Sequence, residues 1–310
     1  LKQCTTLRLE KQIALRKEDY ELLAKLPIEK LYLIGCNLTD EKLHVISKIK
    51  SLKGLYIDCS SAEFKSPNQI SSKGIEALTR LPQLDYLALS RLPIDDSCLE
   101  PIGKSRTIKR ISILTCQNIE GSGFKYLQDH DFDRVTLRQL KLSQRAVSNL
   151  AKIKINHLLL HSMDIDAALT NGLNQSKSMK ELALESCKIK IGALQKLTRI
   201  PTLAIIQGQN GEKANEPTPL PAEVVDGIKC KNLTIEGGHI TQKLARTLSM
   251  QKNRYLQLIT VHIRFDELKI ICRGKSLKRL KLVKVPGLKL KDAFALKKQF
   301  PDLKIDISHF

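Results

Sequence analysis

The stretch LYLIGCNLTDEKL, Leu31 to Leu43, decides the reading of this chain. Leu31 and Leu33 alternate as in a strand, Cys36 and Leu38 follow, and Thr39-Asp40 opens a helix-like run. The pattern apolar-x-x-apolar-x-apolar that ends at Leu33 recurs along the whole sequence. Its middle apolar residue falls at Leu7, Leu31, Leu55, Leu87, Ile111, Val135, Leu158, Leu182, Leu203, Leu233, Leu256, Leu280 and Leu303. The successive gaps are 24, 24, 32, 24, 24, 23, 24, 21, 30, 23, 24 and 23 residues, nine of them 23 or 24. A period of that size means one strand plus a return segment per unit. No unit buries its apolar face alone, so neighbours stack and share one core.

Cys36 lies five residues after Leu31, and the same offset gives Cys116 after Ile111 and Cys187 after Leu182. Elsewhere the slot holds Leu92, Leu140, Met163, Val261 and Val285. A position that alternates Cys with Leu, Met and Val is a buried apolar rung, not a reactive site. These three cysteines are expected to be buried, reduced and unliganded.

The runs LYLIGCNLTDEKLHVISKIKSL (31–52) and LALESCKIKIGALQKLTRIP (182–201) resemble the cysteine-containing class of leucine-rich repeat and its bacterial relatives. The resemblance spans essentially the whole chain. It implies an α/β solenoid (horseshoe), with about 13 parallel strands on the concave face and short helices on the convex face. It departs from the class in two respects: few repeats fill the Cys slot, and three gaps break the period. Leucine-rich-repeat effectors that bacteria deliver into host cells are one setting the resemblance suggests.

All 310 residues fit a single leucine-rich-repeat domain, a fragment of a longer chain on one reading, with irregular insertions at 60–71 and 208–221. Three prolines and several Gly and Asn residues in 208–221 forbid a regular element there. Insertions cost little in a surface loop, yet loops on a rigid scaffold also concentrate binding residues. No apolar run approaches the length of a membrane span. The chain opens at Leu1 without a basic-then-apolar leader pattern. The eight cysteines form no C-x-x-C pair and have no zinc-type His spacing. No metal or cofactor is expected, and the reading is a monomer in a reducing compartment, cytoplasmic or a host cytosol.

The net charge is +20, with 37 Lys and 15 Arg against 32 acids. At the strand positions that face away from the core, eight cations (Arg8, Lys30, Arg110, Arg134, Arg138, Arg279, Lys281, Lys304) meet seven acids (Glu10, Asp58, Glu181, Glu185, Glu236, Asp302, Asp306). The excess therefore lies elsewhere. It is densest in 274–298, where Lys275, Lys278, Arg279, Lys281, Lys284, Lys289, Lys291, Lys297 and Lys298 face one acid. Such a basic patch either keeps a terminal repeat soluble or meets an acidic partner, anionic lipid or nucleic acid. Phe294 and Phe300 sit at helix-periodic positions and read as core, which leaves the patch without a stacking platform.

Tyr32, Tyr56 and Tyr86, three of only six tyrosines, fall at outward positions of three consecutive strands, where propensity alone also favours Tyr. Arg110, Arg134 and Arg138 follow on the next strands. Tyr and Arg dominate binding energy at protein interfaces. His157 and His161 on one strand stand beside Glu181 and Glu185 on the next, too far apart along the strand to share one metal. They read as cross-strand hydrogen bonds or a pH-sensitive contact. No phosphate loop, nucleophile elbow or zinc-protease motif occurs, so no enzyme is expected. The expected function is a protein-binding module using its concave face and one loop rim. The alternatives are an electrostatic binder of nucleic acid or anionic membrane, and the substrate-selecting part of a larger enzyme.

Overall fold

A computed structural model describes residues 5–10, 16–59, 69–207 and 219–308. They fall into two compact units divided after Leu158. The first holds β1 (Thr6–Glu10), α1 (Lys17–Leu23), β2 (Lys30–Ile34), α2 (Asp40–Ile46), β3 (Gly54–Asp58), α3 (Ser72–Thr79) and β4 (Tyr86–Ser90). It continues through α4 (Leu99–Lys104), β5 (Arg110–Leu114), β6 (Asp131–Arg138) and α5 (Gln144–Leu150) into β7 (Lys154–His161). The second unit holds β8 (Asp164–Ile165), α6 (Ala167–Leu173), β9 (Glu181–Glu185), β10 (Lys188–Ile189), β11 (Thr202–Ile206) and α7 (Ala222–Val225). It ends with β12 (Asn232–Glu236), α8 (Gln242–Met250), β13 (Tyr255–Ile259), α9 (Phe265–Cys272), β14 (Arg279–Val283), α10 (Leu290–Gln299) and β15 (Lys304–Ser308). Thirteen of these strands are sheet strands, and their order in the sheet is their order in the chain. The two-residue β8 and β10 pair separately. This is the architecture of a leucine-rich-repeat α/β solenoid: one parallel strand per repeat, then a short helix or 3₁₀ turn.

The register follows the leucine spacing. Leu7, Leu31, Leu55, Leu87, Ile111 and Val135 pair rung to rung in the first unit. Leu182, Leu203, Leu233, Leu256 and Leu280 do so in the second. The last rung is Ile305 rather than Leu303, because Leu280 pairs with Ile305. Leu303 is held in the preceding turn by its N–H to the Phe300 carbonyl, and the ladder resumes only at Lys304, whose N–H reaches the Lys278 carbonyl. Leu7, on the end strand β1, is only half-buried, while the other rung residues are almost fully buried, each stabilising the stack by about 1.5–3 kcal/mol.

Nine strands end the same way. The fourth residue after the rung takes a left-handed conformation: Gly35 (φ 67°), Arg91 (52°), Thr115 (56°), Gln139 (51°), Ser162 (50°), Ser186 (50°), Gly237 (74°), Thr260 (49°) and Lys284 (49°). Cys59 after β3 and Gln207 after β11, which lead into the two insertions, do not. The N–H of the left-handed residue still donates to the next strand, as Arg91 does to the Leu114 carbonyl and Thr115 to that of Arg138, both at 2.8 Å. The reversal of φ turns the following residue toward the core, and that residue is the Cys slot. Cys36 and Cys116 are buried there, the Cys116 thiol 3.5 Å from the Leu89 carbonyl. Cys187, expected to be buried, is only half-buried. Its repeat is the shortest, with a single 3₁₀ turn (Ala193–Lys196) as return segment, which leaves the thiol partly covered.

Polar residues start the helices as the Thr39-Asp40 signature implies. Thr39, Ser71, Ser143, Asp166 and Thr241 each accept a backbone N–H of the first turn. Some helical segments approach closely enough to exclude a side chain: a Cβ on Gly123 would lie 2.3 Å from the Asp96 carbonyl oxygen. The Asp96 carboxylate binds the N–H groups of Glu120, Gly121 and Ser122, fastening one return segment to the next.

Phe294 does not join the core. It is 66% exposed and Leu290, one turn earlier on α10, is 58% exposed. Ala293 and Leu296 carry the buried face of that helix instead, and Phe300 is half-buried. Most of both insertions (60–68 and 208–218) lies outside the described residues. Their flanks place one between β3 and α3 and the other between β11 and α7.

Candidate functional site

The face of the first unit's sheet that points away from the core carries three rows of side chains, set by the parallel register. Across β2 to β6, one row reads Lys30, Gly54, Tyr86, Arg110, Arg134. Across β1 to β6, the next reads Arg8, Tyr32, Tyr56, Ala88, Ser112, Thr136. The third reads Glu10, Ile34, Asp58, Ser90, Leu114, Arg138.

Two of the three tyrosines meet. The Tyr32 and Tyr56 rings lie 6.0 Å apart at 38°, and the Arg8 guanidinium caps Tyr32 at 5.9 Å. Tyr86 belongs to a different row. It sits beside Gly54 and stacks under Arg110 at 5.6 Å, its hydroxyl 3.3 Å from that of Ser112. All three tyrosines are half-buried, because they lie down over the small residues Gly54, Ala88, Ser90 and Ser112. Burial pushes the Tyr56 phenol above its usual pKa, and the neighbouring Asp58 carboxylate adds to the shift.

The cations differ in whether the fold supplies a counter-charge. Arg8 pairs with Glu10. Arg110 Nε donates to Asp85 Oδ2 at 3.0 Å. Arg91 reaches back to Asp58, which is 3% exposed and also accepts the Tyr56 hydroxyl at 3.0 Å. Arg134 and Arg138, both on β6, have no acidic partner among the described residues, and the Arg138 Nε is enclosed with no acceptor. Sequence reasoning counted Asp58 and Arg110 as outward-facing charges and passed over Asp85 and Arg91. The only local sign of Arg91 was its position four residues after a rung.

The remaining candidates scatter. His157 on β7 and Glu181 on β9 are half-buried, and each makes contacts of its own. In the second unit His161 Nε2 lies 3.8 Å from Glu185 Oε1, with its Nδ1 3.3 Å from the Ser162 hydroxyl. The basic segment is not one surface. Arg279 and Lys281 lie on the open face of β14, and Arg279 is already bound to Asp306 and capped on Tyr255. Lys275 and Lys278 precede the strand, Lys284 follows it, and Lys289 and Lys291 flank the start of α10. A strand five residues long separates the two ends by roughly 17 Å, so the contiguous sequence cluster is split in space.

No family model matches the chain, and no curated protein matches it in sequence. Among solved structures it is similar to TLR13 in a complex with ssRNA13, at 17% identity and a TM-score of 0.49 over 92% of this chain. The chain spans only 44% of that receptor's chain. It is also similar to an internalin (inlF) of Listeria monocytogenes, at 18% identity and a TM-score of 0.44, covering 99% of this chain and 87% of the other. A leucine-rich-repeat protein of Leptospira interrogans gives 16% identity and 0.31 over 96% of this chain and 81% of its own.

Proposed function

We propose that this chain is a non-enzymatic binding module that docks a protein partner on the open face of its first unit. One observation carries the reading: the outward rows of β2 to β6 gather Tyr32, Tyr56, Tyr86, Arg134 and Arg138, and the two last lack an internal acid among the described residues. Rings held against small neighbours bury large area with little further loss of entropy, and guanidinium groups offer several directed donors. The buried thiols Cys36 and Cys116 support a reducing compartment, the cytoplasm or a host cytosol reached by a bacterial effector.

The test is affinity capture with the whole chain, comparing Tyr56→Ala and Arg134→Ala with the unchanged protein against whatever partner it retains. Each substitution is expected to weaken binding by at least about 1 kcal/mol. Unchanged affinity in both variants would sink the reading.

A second reading has its own observation. Leu290 and Phe294 are exposed on α10 beside Lys291, Lys297 and Lys298, a combination suited to an anionic membrane surface. Binding of that kind falls steeply with salt and is lost in Lys289→Glu/Lys291→Glu, whereas the open-face interface survives both.

A further inference from the structure

We infer that Arg134 and Arg138 form a two-point dock for an extended acidic peptide segment, one bearing two carboxylates four residues apart. The inference rests on the open-face reading above and names its partner's chemistry.

The fold neutralises other guanidinium groups on this face. Arg8 has Glu10, Arg91 has Asp58 and Arg110 has Asp85. On β6 that provision stops, since neither Arg134 nor Arg138 has a carboxylate among the described residues. Arg138 goes further: it is half-buried, and its Nε is shut away from solvent with no acceptor. The enclosed Nε stays out of a ligand's reach, and a carboxylate arriving at the terminal Nη groups supplies the counter-charge that the fold omits.

The spacing selects the ligand. Arg134 and Arg138 are four residues apart on one strand and project from the same face, roughly 13 Å apart. An extended peptide lying along β6 presents its residues at the same rise, so two acids four positions apart match the two arginines. The Thr136 hydroxyl lies between them for a polar side chain of the peptide.

The same face argues against single-stranded nucleic acid. Base stacking needs open ring faces. Here Tyr32 is tilted against Tyr56 and capped by Arg8, and Tyr86 is covered by Arg110.

The test uses the whole chain and two fluorescein-labelled peptides of equal composition, Ser-Glu-Thr-Val-Thr-Glu-Ser and Ser-Thr-Glu-Glu-Val-Thr-Ser, by fluorescence anisotropy at low ionic strength. The spaced peptide is expected to bind about fivefold tighter than the adjacent one, a difference typical of one charge-assisted contact. Arg138→Gln and, at an exposed position, Arg134→Gln each abolish that preference, while Lys291→Gln/Lys298→Gln lowers both affinities alike and keeps it. Arg138→Lys retains charge but not the two-donor geometry and recovers only part of the preference. Equal affinity for the two peptides, or equal losses in the arginine and lysine variants, overturns the proposal. So does an oligothymidylate that competes better than the spaced peptide at the arginine site. Should Tyr32→Ala/Tyr56→Ala leave peptide binding intact, the tyrosine part of the functional reading fails while this dock stands.

Discussion

Arg91 closes over Asp58 from thirty-three residues away, its Nε donating to Asp58 Oδ1 at 3.0 Å. The left-handed backbone at Arg91 turns its side chain back across the sheet, and the Asp58 side chain is only 4% exposed beneath it. Removing the arginine leaves a desolvated carboxylate held only by the Tyr56 hydroxyl. Arg91→Ala is expected to cost about 1–3 kcal/mol, less than a fully buried pair because the guanidinium itself is 44% exposed. In urea melts, Arg91→Ala/Asp58→Asn should lose less than the sum of the two single changes. Strict additivity would show that the pair does not interact.

Thr115 is a β-branched residue with φ at 56°, where its side chain crowds the backbone. Thr115→Asn relieves that conformation and is expected to raise stability by about 0.5–1 kcal/mol in thermal melts. Its hydroxyl donates to Gln139 Oε1 at 2.9 Å, a bond an Asn amide is able to replace. At Gly35, where φ is 67°, the opposite change Gly35→Ala is expected to destabilise by about 1 kcal/mol.

His130 is 5% exposed, lies flat on Phe132 with ring centroids 4.1 Å apart, and has no well-formed hydrogen bond at either ring nitrogen. Burial, assisted by Lys109, holds its pKa below the ordinary imidazole value, with backbone near Asp131 and Ser105 offsetting part of the effect. The unfolded chain therefore binds a proton near pH 6.5 that the folded chain refuses until a lower pH. Stability contributed by the neutral ring is complete above that pH and declines as pH falls through it. His130→Phe should remove this slope from the melting temperature between about pH 7 and 5. A slope that persists in the variant assigns it to another group.

Native thiol labelling followed site by site should rank the cysteines by cover. Burial pushes the Cys116 thiol up to about 11 and that of Cys230 up to about 12, so little thiolate is present at neutral pH. Cys187, half-buried, is expected to react before Cys36 and Cys116. Cys116 modified as fast as Cys187 would mean that the slot is not closed.

Leu182 is fully buried on its rung, paired with Leu203 of β11. Leu182→Ala is expected to cost about 2–5 kcal/mol through the cavity left in the shared core. Denaturant melts that show no loss would place the rung at another residue.

The repeat, the strands and the core ladder were legible in the sequence because they depend on period. A strand alternates every two residues and a repeat returns every 23 or 24, so Leu87, Ile111 and Val135 announce both the element and its register. Where two residues satisfy the local alternation equally, as Leu303 and Ile305 do, only the hydrogen-bond ladder with β14 decides, and it takes Ile305. Phe294 shows the same limit: helical spacing marks an apolar position but does not supply the neighbour that would cover it. The candidate site was half legible. Outward positions for Tyr32, Tyr56, Arg134 and Arg138 follow from alternation. Which cations stay unpaired does not, because Asp58 meets Arg91 and Asp85 meets Arg110 across 33 and 25 residues. Those partners are set by the lateral stacking of strands and the left-handed turns at their ends, contacts that no short stretch of sequence contains.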